Sequence, residues 1–151
     1  MHELAQRLLT RRRTKLWRSK LVFEAYVNVT EEEVTRVEGK VHASLPSDLK
    51  AWLLQVGYGD IDEALSFRHE WFRSVEQGPL RGAVLFAQDI LGNFYAFVPS
   101  TGNVIFFSRS ALEFAVLAPS FRAFMEELER RDYKVLEWVG AIPASSYDRD
   151  A

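Results

Sequence analysis

The sequence predicts an α+β fold: a twisted, mostly antiparallel sheet of about four to six strands, flanked by helices. Three observations carry this expectation. Two amphipathic helix patterns follow one another between residues 30 and 57. Four short β-rich runs then succeed each other between residues 82 and 118. A last amphipathic helix begins at Pro119. Helices and strands that occur in separate blocks, without βαβ alternation, argue for an antiparallel sheet with helices packed on it.

Each element has a local reason. Leu4, Leu8 and Leu9, then Leu16 and Trp17, recur at near-helical spacing in a basic stretch. Residues 1–20 hold seven Lys/Arg against Glu3 alone, a net +6, while the other 131 residues carry −8. Such a basic arm is either a nucleic-acid tail or a solvated helix face. The apolar spacing favours a helical segment over residues 1–20, docked by Leu4, Leu8, Leu9 and Trp17, with its arginines in water. A disordered polybasic tail would lack those side chains. LVFEAYVNV (21–29) is β-branched and aromatic, and reads as a strand or an extended linker.

In VTEEEVTRV, Thr30 is placed as N-cap and Glu33, three residues on, completes a capping box. Val29 and Val34 have the spacing of a hydrophobic staple. Val34, Val37 and Val41 form one apolar stripe. The next helix opens at Pro46, where a missing N–H is harmless. Leu49, Trp52, Leu53 and Val56 lie at i, i+3, i+4 and i+7, facing a core. Gly57 suits a helix terminus. Residues 60–81 are weakly patterned, with one short strand expected at Leu65–Phe67. GAVLFA, NFYAFV, VIFFS and LEFAVLA follow as strands, the first three separated by the turn sequences DILGN and PSTGN. Their aromatic residues fall on both faces, so the central strands should be covered on both sides. In PSFRAFMEELERR, Phe121, Phe124, Met125 and Leu128 share one helix face. The division expected is 1–20, a domain at 21–140, and a frayed tail at 141–151.

Composition narrows the function classes. Apolar residues make up 48% and charged residues 26%, as in ordinary globular domains. With no cysteine, disulfides and thiolate metal sites are excluded. The first residues lack the apolar run of a secretory leader, so a cytoplasmic location is expected. No stretch approaches the roughly 20 apolar residues of a membrane span, and no membrane contact is expected.

No catalytic motif emerges. GYGDID lacks the lysine and the preceding strand of a phosphate loop. His2, His42 and His69 are scattered, so no metal site is expected. No nucleophile elbow occurs. Asp89 and Asn93 flank a glycine turn with too few oxygens for a calcium loop. Few basic residues interleave with the aromatics, so direct nucleic-acid binding is not expected. Nothing in these motifs supports an enzyme or a cofactor. One loop is the candidate contact: Asp60, Asp62 and Glu63 precede Glu70, Trp71 and Phe72, placing acids beside aromatic anchors. The plainer alternative is that Trp71 and Phe72 plug the core beneath a solvated loop.

The order of these pieces resembles the SUKH superfamily, which includes bacterial immunity proteins of polymorphic toxin systems and fungal cell-wall assembly regulators. The resemblance spans about residues 30–130. It rests on Glu38 seven residues before Leu45-Pro46, on Gly57 and Gly59, and on Asp89, Gly92 and Asn93. Gly102 and Val104 then match a Gly-x-Val strand start, and Ser120, Phe121 and Phe124 the closing helix. Three departures stand out. Val41-His42 replaces a frequent Leu-Gly, Tyr58 splits the glycine pair, and Ser108-Arg109 replaces an aspartate-rich continuation. The resemblance implies an α+β binding module, a monomer or homodimer, with a protein partner. That partner is a cognate toxin domain, often a nuclease, for an immunity protein. For a regulatory scaffold it is a recruited cellular protein.

Overall fold

The computed structural model describes residues 1–108, 113–143 and 145–146. Its five helices are α1 (His2–Thr10), α2 (Glu31–Val41), α3 (Ser47–Val56), α4 (Phe121–Arg130) and α5 (Val135–Ala141). The strands begin with β1 (Arg12–Lys15), β2 (Arg18–Leu21), β3 (Phe23–Val27), β4 (Tyr58–Ile61), β5 (Leu65–Phe67) and β6 (Arg73–Ser74). They continue with β7 (Val84–Asp89), β8 (Phe94–Phe97), β9 (Val104–Ser108), β10 (Glu113–Ala118) and β11 (Ser145–Ser146). β1 and β2 form a hairpin of their own. The remaining strands make one sheet of nine, in the order β11-β10-β9-β8-β7-β5-β4-β3, with β6 also paired to β7. Every pairing is antiparallel.

The α+β architecture is the expected one, with more strands than four to six. The surplus comes from β4, β6 and β11, which are too short or too polar to show a period of two. LVFEAYVNV resolves as strand β3, at the edge of the sheet.

The sheet separates two apolar clusters. On the helix-covered face, Trp52 of α3 meets Phe121 of α4 edge-on, and Phe121 in turn meets Phe86 of β7. Phe124 packs on Tyr95 and stacks on Trp138 of α5. The opposite face holds Ala83, Leu85, Phe94, Ala96, Ile105 and Phe107, with Val75, Leu80, Val98 and Phe114 packed against them. Both faces of β7, β8 and β9 are thus buried, which explains why their sequences do not alternate.

The N-terminal expectation is corrected beyond residue 10. Leu4, Ala5 and Leu8 are buried as α1 packs on α3 and α4. The helix then stops at Thr10, and residues 12–21 form the β1–β2 hairpin instead of more helix. Trp17 docks on nothing: it lies at the hairpin turn, 101% exposed. The arginines are not simply solvated either. Arg7 pairs with Glu129 at 2.6 Å, Arg11 with Asp132 at 3.0 Å, and Arg13 with Asp62 at 2.8 Å. Those carboxylates come from elements far along the chain. Spacing within the segment therefore carried no sign of them, and they hold it in a form its local periodicity did not predict.

At the other end, α5 was not expected; its seven residues give too short a pattern. Ser145 and Ser146 pair with β10, in what was expected to be a frayed tail. The rest of that tail, 144 and 147–151, lies outside the described residues, as does Arg109.

Candidate protein-binding site

The motif residues hold turns. Glu38 accepts the backbone N–H of Leu45 at 2.7 Å, fastening the α2–α3 connection, and pairs with Lys50 at 3.6 Å. Pro46 stands at the N-cap of α3 without a side-chain cap, and its carbonyl accepts the Lys50 N–H at 2.9 Å. His42 closes α2 in the left-handed conformation, φ +56° and ψ +38°, at the place where a Leu-Gly motif would put glycine. Gly57 ends α3 with φ +84°, and a Cβ there would lie 2.6 Å from the carbonyl oxygen of Val27. At Gly59 a Cβ would lie 2.3 Å from the carbonyl oxygen of Glu24. The two glycines therefore stop a helix and let β3 pass close to β4, whose backbone approach fills the space beside them.

Asp89 is 5% exposed. It accepts bonds from the backbone N–H groups of Leu91 and Asn93 and from the side chains of Asn93 and Tyr95. Four donors on one carboxylate fix the β7–β8 turn, whose Gly92 has φ +82°. Burial, with Asp89 beside it, pushes the Tyr95 hydroxyl well above its ordinary pKa. Gly102 takes φ +81° ahead of buried Val104. Ser120 caps α4 by accepting the Ala123 N–H at 3.0 Å, and Phe121 and Phe124 lie in the core.

The acidic loop is divided. Asp62 and Glu63, both at positive φ, form the β4–β5 turn. They lie under the hairpin: Arg13 bridges Asp62 and Asp132, and Lys20 donates to Glu63. Lys20 holds Glu63 below the usual carboxylate range, and Arg13 does the same to Asp132. Asp60 faces the other way and accepts from the Tyr26 hydroxyl. Glu70 is exposed, 4.0 Å from Arg68. Trp71 is half-buried, and Phe72 is fully buried against Tyr58. Phe72 is thus a core residue and offers no surface anchor. For it the plainer alternative is correct.

An open groove of about 450 Å³ adjoins Asp60 and Glu70. Tyr26 and Val27 of edge strand β3 line it, 45% and 58% exposed. The Arg68 guanidinium lies 4.6 Å over the Tyr26 ring. Deeper in, Glu33 accepts from the Tyr58 hydroxyl at 3.0 Å, meets His69 Nδ1, and pairs with Arg36 at 3.0 Å. Burial, then Glu33, raises the Tyr58 hydroxyl well above its ordinary pKa. Thr30 accepts the Glu33 N–H as expected, but the Glu33 carboxylate serves the groove. Tyr26, Val27, Glu33 and His69 were not read from sequence as neighbours. Glu33 and His69 are 36 residues apart and share no motif. The arrangement offers apolar edge surface, fixed carboxylates and guanidinium groups together, as a protein-binding surface does.

In this α+β fold the signature side chains serve the backbone, holding turns and helix ends. The model of the SMI1/KNR4 family (SUKH-1) matches residues 28–127, and the chain belongs to that family. The family is generally one of non-enzymatic binding modules. Comparison with curated proteins and with solved structures gives no match. Among the described residues, no helix is long and apolar enough to cross a membrane.

Proposed function

We propose that the chain is an immunity-type protein that binds a toxin domain, such as a nuclease, and blocks it. The observation that carries the reading is the groove beside β3. There an edge strand exposes Tyr26 and Val27 next to Asp60 and Glu70. Exposed edge strands with apolar side chains are ready to accept a partner chain. Asp62 and Glu63 face the hairpin, but Glu70 lines this groove and Asp60 joins it through the Tyr26 hydroxyl. With a body charge of −8, they suit a partner that presents Lys and Arg to phosphates. Family membership supports the same reading.

The test uses a toxin domain encoded beside this gene, co-expressed and purified with the chain. Glu70→Lys with Tyr26→Ala is expected to slow association and weaken its salt dependence. Asp62 and Glu63 need a different design, because reversing them alone would release the hairpin. Glu63→Lys with Lys20→Glu keeps the internal pair and the net charge while reversing the sign at position 63. Normal association by both folded variants would place the interface elsewhere. A neighbouring gene for a recruited cellular protein, with no toxin, would favour the regulatory scaffold.

A further inference from the structure

Leu16 and Trp17 form the two-residue turn of the β1–β2 hairpin, between paired Lys15 and Arg18. Their φ angles are +46° and +75°. Such a turn suits Asn-Gly, and a leucine or tryptophan there is strained. Leu16 is 91% exposed and Trp17 101%, so neither packs on the body. The cations beside them stand directly opposite each other, which is unfavourable across an antiparallel pair. Neither Lys15 nor Arg18 forms an ion pair with the described residues, unlike Arg13 and Lys20 behind them. Three local costs meet at one tip; Lys15 is drawn to Glu63 only at longer range, and no ion pair of Lys15 or Arg18 within the described residues offsets them.

We propose that this tip is a peripheral anchor for an anionic lipid surface. Its groups are ordered by depth. Leu16 and Trp17 are outermost. Lys15 and Arg18 come next, then Thr14 and Ser19, then Arg13 and Lys20, already paired with Asp62 and Glu63. A bilayer interface is layered in the same sense: aromatic rings settle at the acyl boundary and cations at headgroup level. Three residues of strand place the tip about 10 Å beyond Arg13. That exceeds the Debye length of about 8 Å, so the acidic body is screened from an anionic surface. A protein pocket would call for groups patterned across the hairpin, and here the differences run along it. The hairpin also lies outside residues 28–127, which the family model matches. Attachment by two apolar side chains and two cations is weak and reversible, and it replaces the expectation of no membrane contact.

Co-sedimentation of the full chain with phosphatidylcholine vesicles, with and without phosphatidylglycerol, tests this. Trp17 serves as reporter, because Trp52 and Trp138 are buried and Trp71 half-buried. The chain is expected to bind the anionic vesicles, with Trp17 protected from acrylamide quenching. Binding to neutral vesicles should be roughly thirtyfold weaker, the loss expected for two cations. Leu16→Asn with Trp17→Gly suits the turn, should fold at least as well, and should lose the binding. Lys15→Glu with Arg18→Glu should lose it with the tip intact. Equal binding to neutral vesicles, or by either variant, overturns the proposal. So does a Trp17 that stays quenchable with both vesicle types.

Discussion

Glu38 reaches seven residues forward to accept the backbone N–H of Leu45, 2.7 Å away, and so joins the end of one helix to the start of the next. Leu45 is 4% exposed, so its N–H has little access to water. Glu38→Ala is expected to destabilise the fold by about 1.5–3 kcal/mol, the range for a hydrogen bond to a charged group. Glu38→Gln, which keeps an acceptor, should cost less. Urea unfolding of the two variants checks the ranking.

The buried pair of Asp89 and Tyr95 should behave as a coupled unit. Asp89→Ala strands several donors at once and should cost about 3 kcal/mol or more. Tyr95→Phe removes one donor and should cost about 1 kcal/mol. The double variant should be less destabilised than the sum, because Tyr95 has already lost its acceptor in Asp89→Ala. A double-mutant cycle by denaturant unfolding measures the coupling.

Backbone sterics give opposite signs at Gly59 and His42. Gly59→Ala puts a methyl 2.3 Å from a carbonyl oxygen and should cost about 1–3 kcal/mol by forcing β3 away from β4. His42→Gly relieves a left-handed residue and should stabilise by about 1 kcal/mol. Thermal melts of both variants read the two signs directly.

Acid should weaken the fold partly through α4. Arg130 and then Arg131 hold Glu127 down to about 2, from an ordinary 4.5. A carboxylate depressed on folding contributes stability that is present above its unfolded pKa. That contribution is lost as pH falls through the folded value. The window therefore runs from about 4.5 down to about 2. Solvent screening keeps the effect small, because the arginines are largely exposed. Stability measured against pH should fall less steeply across this window in Glu127→Gln than in the parent chain.

Much of the fold was legible because its signals are local. The stripes Val34-Val37-Val41 and Leu49-Trp52-Leu53-Val56 are buried as their spacing implied. The caps at Thr30 and Ser120 bond as their positions implied. Less of the candidate site was legible. Asp60, Asp62 and Glu63 read as one acidic patch, yet a strand alternates its side chains and a turn follows. Asp60 goes to Tyr26, while Asp62 and Glu63 go to the hairpin.

By itself the sequence determined the elements whose cause lies within a few residues: the amphipathic helices, their caps, the glycine stop after Val56, and the strand runs after Gly82. Periodicity and capping act over one or two turns, so a short window contains the whole cause. The tertiary structure alone decided the fate of residues 11–21 and the make-up of the groove. Arg13 is extended because Asp62 and Asp132 lie 49 and 119 residues away, and Glu33 meets His69 across 36. Ion pairs and hydrogen bonds act through space over a few ångströms, and only folding brings those partners within reach.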